Sequence, residues 1–403
     1  QAEDGIRDKL VTGVQTCALP IWTSKTSSAS SRLVAKTDAI DSTHLRAAFG
    51  LARRGLGRVW PNPSVGCVIV RDGQVVGRGW TQPGGRPHAE TEALARAGEL
   101  ARGATAYVSL EPCAHHGRTP PCADSLIAAG VVRVVSTIDD PDERVAGRGF
   151  ARLRAAGIAV DVGHAVEEAR ALNAGFFLRL EGDRPLVTLK LATSLDGRIA
   201  THRGESRWIT GEAARAYAHG LRATHDAVMV GSGTAITDDP ELTCRLPGMS
   251  DRSPVRIVVD SHLRIPLTAK LVATARTTPT WILTRPDTER ARRKAFVDCG
   301  VELVDVASGA SGRPEAGEMM RALGARGLTR VMVEGGGHLA AVLMGAGVVD
   351  RVVCARAGRV IGGDGVPSIA AFGIETLRAA PDFIRTGVES CGEDVVETWA
   401  RKA

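Results

Sequence analysis

The sequence predicts a protein with two α/β domains, and three observations support this fold class. The chain has 403 residues, of which 44% are hydrophobic and 24% are charged, enough apolar sequence for two ordinary cores. Runs rich in β-branched residues alternate with amphipathic segments that end at glycine, as in layered α/β domains. A break in this alternation near Gly182 and Pro185 predicts a linker. We therefore expect one domain over residues 43–183 and a second over residues 184–403.

The elements of the first domain follow from the periodicity of its apolar residues. A helix follows Asp41 or Ser42, either of which can serve as its N-cap, and Leu45 and Phe49 share its apolar face. A hairpin comes next, with its turn at Asp72-Gly73. The remaining segments are HAETEALARAGELA as a helix, ATAYVSLEPC as a strand, CADSLIAAG as a helix, VVRVVSTIDD as a strand, and FARLRAAGIAVDVG as a helix and then a strand.

The second domain is predicted from strand-like runs with helical segments between several of them. These runs are PLVTLKLATSLDG, HDAVMVGSGT, PVRIVVDS, TWILT, VELVDV, RVMVEGGG and DRVVCARAG. The RVMVEGGG run leads through Gly335, Gly336 and Gly337 into a helix, whose N-terminal N–H groups could bind a pyrophosphate. A plain strand-to-helix turn remains an alternative, because the glycines do not follow the Rossmann spacing GxGxxG.

Residues 1–42 are set apart from both domains as a disordered or artefactual leader. The stretch TSKTSSASSR is rich in serine and threonine, which predicts disorder. The segment before it lacks the basic start and long apolar core of a signal peptide. It is more similar to a translated adapter sequence than to a protein element, so we expect the leader to contribute nothing to the fold.

Charge and composition narrow the classes of function. The net charge of +6 suits small phosphorylated substrates, and without a basic run or an RNA-binding motif we expect no nucleic-acid partner. No apolar run reaches the roughly 18–20 residues of a membrane span, so we expect no membrane association. The eight cysteines are scattered without the spacing of a disulfide framework, which favours a reducing, cytoplasmic compartment.

The segment from His88 to Cys122 carries the most specific chemical pattern in the chain. His88, Cys113 and Cys122 offer one imidazole and two thiolates, and a catalytic zinc typically has three protein ligands and one open position. Glu90 follows His88 at a helix start, where it can move protons between water, the ring and the leaving ammonia. His-x-Glu, then Pro-Cys, then a second Cys is the arrangement of zinc-dependent nucleobase deaminases. The pattern therefore predicts deamination of an aminopyrimidine ring.

Other interpretations of this segment remain open. A structural zinc would need a fourth protein ligand, which His115 or His116 could supply. Another nucleobase deaminase would have two residues between its cysteines, whereas this chain has the eight-residue loop AHHGRTPP. We interpret that loop as substrate recognition, with Arg118 suited to a phosphate.

The motifs PNPSVGCVIV, HAE and EPCAHHGRTPPCADSLIAAGV closely resemble those of the bifunctional deaminase–reductases of riboflavin biosynthesis. The likeness continues through VAGRGF, KLATSLDGRIA, GESRWITG, DDPELTCR, VVDSHLR and VEGGGHLA, and it covers about residues 43–400. It implies a cytidine-deaminase-like three-layer α/β/α domain followed by a dihydrofolate-reductase-like α/β domain. It also implies two reactions, first the loss of the 2-amino group of 2,5-diamino-6-(5-phosphoribosylamino)pyrimidin-4-one to water, then reduction of the ribosyl group by NADPH. A chain active in only one step remains an alternative.

The resemblance further implies roles for individual residues. Zinc would be bound by His88, Cys113 and Cys122, with Glu90 as the catalytic proton shuttle. The deaminase substrate would contact Asn62, His115 and Arg118. NADPH would contact Ala192, Trp208, Thr234, Asp238, Ser261, Gly336 and Gly337. The reductase substrate would contact Ser206, Arg222, Leu242, Arg245 and Glu334.

Three of these implied contacts have alternatives, and the family suggests an assembly. Arg222 and Arg245 suit the ribose 5-phosphate by charge, but either could be a surface residue. Trp208 could be a core residue. Ser261 and nearby Arg264 could read the 2′-phosphate that separates NADPH from NADH. Because reductase domains of this family commonly dimerise, we expect a homo-oligomer formed through the second domain.

Overall fold

The fold is described by a computed structural model over residues 29–116, 120–309 and 312–402. The residues from Asp41 onward form one compact unit, and the first helix begins upstream of it at Ala29. Within the described residues, no helix is both long and apolar enough to cross a membrane.

The helices of the described residues are α1 (Ala29–Ala52), α2 (Ala89–Ala97), α3 (Cys122–Ala128), α4 (Arg148–Ala155), α5 (Val166–Gly182), α6 (Glu212–Ala223), α7 (Ser232–Asp238), α8 (Lys270–Ala273), α9 (Arg290–Asp298), α10 (Ala316–Ala325) and α11 (Gly337–Gly345). The strands are β1 (Gly66–Arg71), β2 (Gln74–Trp80), β3 (Thr105–Val108), β4 (Arg133–Val135), β5 (Ala159–Asp161), β6 (Leu186–Thr193), β7 (Arg198–Ala200), β8 (Ala227–Gly231), β9 (Val255–Val259), β10 (Thr280–Thr284), β11 (Glu302–Asp305), β12 (Arg330–Glu334), β13 (Arg351–Arg356), β14 (Val366–Pro367), β15 (Phe383–Cys391) and β16 (Asp394–Arg401). The chain passes from the first sheet to the second across residues 183–185, between α5 and β6.

The first sheet has the strand order β2-β1-β3-β4-β5. β1 is antiparallel to β2 and β3, whereas β3, β4 and β5 are parallel. The hairpin turns at Asp72-Gly73, as predicted, and both residues have positive φ, 51° and 74°. Two positive φ angles are what a two-residue type I′ hairpin turn requires.

Helices cover both faces of this first sheet. Side chains on β1 alternate between the faces, because the side-chain period of a strand is two. Cys67 and Ile69 are buried with residues of α2, α3 and α4, whereas Val68 and Val70 are buried with residues of α1 and α5. This is the predicted three-layer α/β/α arrangement.

The second sheet has the strand order β11-β10-β9-β8-β12-β6-β13-β16-β15. The strands from β11 to β13 are parallel, and β16 and β15 continue the sheet in antiparallel pairing. From β8 the chain moves outward to β9, whereas from the adjacent β12 it moves towards β13. In open α/β sheets, such a reversal leaves a crevice at the carboxyl ends of the two strands. Helices α7 and α11 both begin at this crevice.

The first helix begins earlier than predicted, so the N-cap assignment is wrong, and so is the expectation of a disordered or artefactual leader over residues 29–42. Residues 29–42 are helical, and both Asp41 and Ser42 lie inside α1. No glycine or proline lies between Ala29 and Asp41, so no strong helix breaker ends the helix there. Asp41 is buried and accepts hydrogen bonds from Arg133 (Nη2–Oδ2 2.7 Å) and from the hydroxyl of Tyr107 (2.9 Å). The expectation for residues 1–28 lies outside the described residues.

The C-terminal hairpin of β15 and β16 was not predicted. Most residues of β15 are exposed or only partly buried, so its sequence FIRTGVESC lacks a continuous apolar run or a clean alternation. The two strands turn at Gly392, which has a φ of 67°. The α/β class and the order of the predicted elements are as the sequence predicts, but α5 and the short strands β7 and β14 were also not predicted.

Candidate functional site

The structure brings together the three residues that the sequence predicts as zinc ligands. The ligand atoms of His88, Cys113 and Cys122 all lie within 4.8 Å of one another. His88 Nδ1 is 3.3 Å from Cys122 Sγ and 3.6 Å from Cys113 Sγ. Among the described residues, no fourth ligand atom joins this cluster, and His116 lies 4.0 Å from Asp124 instead. One imidazole and two sulfurs fit a catalytic zinc with an open position.

Two helix starts position these ligands. His88 is the N-cap of α2, and Cys122 is the first residue of α3, directly after Pro121. Cys113 lies in the loop after β3, and its sulfur accepts a hydrogen bond from the backbone N–H of Cys122 at 3.3 Å. The positive end of a helix dipole stabilises a nearby thiolate.

The cysteine pair has unequal proton affinities. Hydrogen bonds from Cys122 and from His88 lower the pKa of Cys113 to about 4, although burial acts against this. The hydrogen bond that stabilises the Cys113 thiolate, together with burial, raises the pKa of Cys122. The pKa of His88 is raised, first by its hydrogen bond to Cys113. A thiolate is thus favoured at Cys113 before any cation binds, and ligand cysteines bind zinc as thiolates.

Glu90 lies in the first turn of α2 and is buried. Burial, followed by the negative charge of Cys113, raises the pKa of Glu90 to about 7. A carboxyl group with a pKa near the working pH can accept a proton and return it. This property fits the proton-shuttle role that the sequence predicts.

A cavity next to the cluster is lined by several residues of the predicted substrate site. Asn62 and His115 line it together with His88, Glu90 and Cys113. The Nδ1 atom of His115 is buried without a hydrogen-bond partner among the described residues. Arg118 lies outside the described residues.

Sequence reasoning missed two further groups at this cavity. The buried carboxylate of Glu111 accepts hydrogen bonds from the backbone N–H groups of Asp140, Gly147, Gly149 and Phe150, and so it holds the 140–150 loop. Arg179 of α5 also lines the cavity, and its Nε is buried without a partner among the described residues. Glu111 is part of the quoted EPC motif and Arg179 lies in no quoted motif, but the contacts of both residues lie far away in sequence.

At the crevice of the second sheet, the glycine turn after β12 lies close to Thr234 and to the backbone of Pro367. Gly335 and Gly336 have φ of 86° and 82°, which favours glycine. A Cβ at Gly336 would lie 3.2 Å from Thr234 Oγ1, and one at Gly337 would lie 2.7 Å from the carbonyl oxygen of Pro367. The turn therefore brings Thr234, Gly336 and Gly337 together. It also leaves a Cβ-free surface at a helix N-terminus, which fits the pyrophosphate of NADPH.

A second cavity lies beside this turn. Of the predicted cofactor-binding residues, Ser261 lines it, with Arg264, Arg313 and His338. Arg264 donates a hydrogen bond to Ser232 Oγ at 3.0 Å. Arg313 and His338 were not predicted as contacts, although His338 lies within the VEGGGHLA motif. The cationic groups suit a phosphate of the cofactor.

The predicted contacts of the reductase substrate fall into two environments. Arg222 and Glu334 form a bidentate ion pair with Nη2–Oε2 at 2.7 Å. Although burial opposes it, Arg222 lowers the pKa of Glu334. Because Glu334 compensates Arg222, that arginine offers less positive charge to a phosphate than predicted. Arg245 is exposed and forms an ion pair with Glu241, and Leu242 is buried with a φ of 54°.

The remaining predicted contacts do not line the second cavity. Trp208 is 61% exposed, which excludes the core alternative, and Arg215 lies 4.7 Å above its ring. Asp238 is the last residue of α7, and its carbonyl oxygen accepts a hydrogen bond from Arg207. Ser206 lies in the 201–210 loop, two residues before Trp208. Ala192 lies within β6 and pairs with Ala355 of β13.

Comparisons with known proteins match both halves of the chain. The cytidine and deoxycytidylate deaminase zinc-binding region matches residues 38–138, and the RibD C-terminal domain matches residues 185–397. The chain is 41% identical to riboflavin biosynthesis protein RibD of Aquifex aeolicus, over 90% of this chain and 99% of that protein. It is also 41% identical to RibD of Escherichia coli, over 88% and 98% of the two chains.

Solved structures show the same relationship. The chain superposes on Acinetobacter baumannii RibD with a TM-score of 0.81 and 36% identity, over 91% of this chain and all of that chain (100%). It superposes on a diaminohydroxyphosphoribosylaminopyrimidine deaminase/5-amino-6-(5-phosphoribosylamino)uracil reductase of Thermotoga maritima with a TM-score of 0.79 and 32% identity, over 91% and 100% of the two chains. The chain belongs to the RibD family of riboflavin biosynthesis proteins.

Proposed function

We propose that this chain catalyses two consecutive reactions of riboflavin biosynthesis on one phosphorylated pyrimidine. The first converts 2,5-diamino-6-(5-phosphoribosylamino)pyrimidin-4-one and water into 5-amino-6-(5-phosphoribosylamino)uracil and ammonia. The second reduces the ribosyl group of that product to ribityl with NADPH. The observation that carries the proposal is the His88, Cys113 and Cys122 cluster with buried Glu90, in one compact unit with a second, glycine-lined crevice.

In the first reaction, Glu90 moves the protons. A zinc ion held by His88, Cys113 and Cys122 supplies Lewis-acid activation of water. Glu90 accepts a proton from the attacking water and delivers it to the ring nitrogen. It then transfers the remaining proton of that water to the amino group, which leaves as ammonia as the C–N bond breaks and the carbonyl forms. Burial raises the pKa of Glu90, which makes its carboxylate a better proton acceptor. Asn62 and His115 orient the ring from the wall of the cavity.

The phosphate of the first substrate is assigned to Arg179, with Arg118 as a second candidate. Arg179 lines the cavity, donates a hydrogen bond from Nη2 to the carbonyl oxygen of Pro61 at 3.2 Å, and has no carboxylate ion pair among the described residues. Burial lowers its pKa, so an anion beside it would stabilise its charged form. Arg144, which also lines the cavity, is already paired with Asp142.

In the second reaction, the chain positions its two substrates. NADPH supplies the hydride. Thr234, Gly336, Gly337 and Ser261 hold the cofactor at the crevice, with Ala192, Trp208 and Asp238 as further contacts. Glu334, Arg222, Ser206 and the backbone of Leu242 position the ribosyl group. Arg245 is the more accessible arginine for its phosphate.

Two alternatives concern the extent of this activity. A chain active in one step only would release ammonia without oxidising NADPH, or the reverse. A different nucleobase deaminase would release ammonia from cytosine compounds that lack a ribosylamino group. The Arg222–Glu334 ion pair does not favour either alternative over the two-step function. A carboxylate and a guanidinium can together bind the hydroxyl groups of a sugar, so the pair suits a ribosyl substrate.

The proposal extends to assembly and compartment. We propose that the protein acts as a homo-oligomer through its second domain, which sedimentation analysis of the purified chain tests. The described cysteines are all free thiols, which supports a reducing, cytoplasmic compartment.

The two activities are tested separately with the purified, zinc-loaded protein. Ammonia release is measured with the diaminopyrimidine substrate, and NADPH absorbance is measured with the deaminated product. We expect activity in both assays. The absence of ammonia release, or of NADPH oxidation, would refute the corresponding half of the proposal.

A further inference from the structure

The segment from Gly57 to Ser64 belongs to the first domain but lies against the second. It joins the end of the first helical segment to β1 and contains Asn62, which lines the cavity beside His88 and Glu90. We infer that the second domain holds this segment in place for the deaminase, with Trp60 as a positioning residue for Asn62. The inference rests on the proposed deamination and concerns residues that do not touch the reacting atoms.

The residues next to Asn62 contact the second domain. Trp60 packs against the core of the second sheet, where its ring meets Trp281 edge-on with centroids 6.4 Å apart. Arg58 forms an ion pair with Asp251 at 2.9 Å. A Cβ at Gly327 would lie 2.9 Å from Pro61 Cβ, so the second domain also approaches Pro61 closely.

The start of the segment approaches the backbone of the second domain. Gly57 has a φ of 77°, and a Cβ there would lie 2.9 Å from the carbonyl oxygen of Ala223 and from the backbone nitrogen of His225. The surface it meets is rigid, because the buried carboxylate of Asp226 accepts hydrogen bonds from the backbone N–H groups of Thr329 and Arg330. The second domain therefore presents a rigid backbone surface to the Gly57–Ser64 segment.

Residues of the first domain also hold the Gly57–Ser64 segment, through hydrogen bonds to Asn62 and Ser64. Asn62 donates a hydrogen bond from Nδ2 to the carbonyl oxygen of Gly85 at 3.2 Å, and its backbone N–H bonds to Val59. Ser64 is held by Asn173, whose side chain bonds both its N–H and its carbonyl oxygen. With Asn62 held between these contacts and the second domain, a shift of Trp60 or Pro61 would move a cavity-lining side chain. Small displacements of this kind weaken substrate positioning.

Substitutions at the contact between the two domains test the inference. Gly327→Ala adds a methyl group against Pro61, and Trp60→Ala removes the packing against Trp281. Gly347→Ala is the matched control, because Gly347 also follows a helix and has positive φ (71°, against 91° at Gly327), but a Cβ there meets only a nitrogen of Arg401 at 3.6 Å. Trp60→Phe, which keeps an aromatic ring, tests rescue.

We expect Gly327→Ala and Trp60→Ala to raise the KM for ammonia release about tenfold or more. Zinc content and the KM for the deaminated product in the NADPH assay should stay unchanged. Gly347→Ala should match the wild type, and Trp60→Phe should recover most of the loss. Equal effects in Gly327→Ala and Gly347→Ala, or an unchanged KM in both Gly327→Ala and Trp60→Ala, would overturn the inference.

Hydrogen–deuterium exchange of the Gly57–Ser64 segment gives a second readout that needs no substrate. Exchange should be faster in Gly327→Ala and Trp60→Ala than in Gly347→Ala and the wild type. Unchanged exchange would overturn the inference. Absent ammonia release from the wild type would instead refute the proposed function, while the exchange result still decides whether the second domain holds the segment.

Discussion

At the scale of single residues, a comparison of Glu90 with Glu92 distinguishes a role in proton transfer from a role in the structure of α2. Both lie in the first turn of α2, but Glu90 is buried beside the ligand cluster, whereas Glu92 pairs with Arg96 on the surface. Glu90→Gln removes the proton carrier and keeps the shape, so we expect ammonia release to fall about 10²–10⁴-fold. Zinc content, measured by elemental analysis, should stay at the wild-type level.

Glu92→Gln is the matched control for Glu90→Gln. It should retain nearly full ammonia release, because its exposed i,i+4 ion pair contributes little. Comparable losses in the two variants, or full activity in Glu90→Gln, would contradict the role of Glu90.

Arg179 is the residue-scale test of phosphate recognition. Losing a charge-assisted hydrogen bond costs about 1.5–3 kcal/mol, so Arg179→Gln should raise the KM for the phosphorylated substrate about 10–100-fold. The dephosphorylated substrate should be affected much less. Arg170→Gln changes the same charge on an exposed position of α5 and should leave both values unchanged. Equal effects of Arg179→Gln on both substrates would contradict phosphate binding.

The grouping of His88, Cys113 and Cys122 was predictable from sequence, whereas the contacts of other residues at the two sites were not. His88, Glu90, Cys113 and Cys122 belong to a local pattern whose spacing follows from two helix starts. Arg179, Glu111 and Arg313 act through contacts that only the fold creates. The compensation of Arg222 by Glu334 across 112 residues likewise could not be read from the chain.

At the scale of elements, the junction of α6 and β8 contains a buried histidine. His225 is 2% exposed, with Nδ1 2.7 Å from the carbonyl oxygen of Leu221 and Nε2 3.0 Å from Thr188 Oγ1. Burial, then the charge of Arg330, lowers its pKa from 6.5 to about 3. Nδ1 donates to the carbonyl oxygen, so the neutral ring satisfies both contacts.

This histidine makes the stability of the fold depend on pH. Above pH 6.5 both states are neutral at this position, so its contribution is complete. As the pH falls from 6.5 towards 3, the unfolded state binds a proton that the folded state excludes, and the free energy of unfolding decreases. The limiting slope is about 1.4 kcal/mol per pH unit.

Urea unfolding between about pH 7 and pH 5 checks this slope in the wild type and in His225→Gln. The variant should be less stable near neutral pH but lose less stability on acidification. Parallel losses in the two proteins would contradict the assignment.

Elements with strong apolar periodicity were predictable, and those shaped by long-range contacts were not. The strands β8, β9, β10 and β12 of the second sheet were correctly predicted because their apolar runs are buried on both faces. The start of α1 was predicted wrongly because Asp41, a good N-cap by type, is instead the partner of Arg133. The β15–β16 hairpin was not predicted, because most residues of β15 are exposed or only partly buried and its sequence shows no clear apolar pattern.

At the scale of the whole molecule, two sites lie in one compact unit from Asp41 onward. The first is a ligand cluster at two helix starts of an α/β/α domain, and the second is the crevice between β8 and β12. The product of the proposed deamination is the substrate of the proposed reduction, so the two sites must act in a fixed order.

That order is tested most directly by following ammonia and NADPH in one sample supplied only with the diaminopyrimidine substrate. The wild type should release ammonia in step with NADPH oxidation, and ammonia release should continue when NADPH is left out. Glu90→Gln should do neither, yet oxidise NADPH at the wild-type rate once the deaminated product is added. NADPH oxidation by Glu90→Gln without added product, or ammonia release by the wild type that is never followed by NADPH oxidation, would contradict the two-step function.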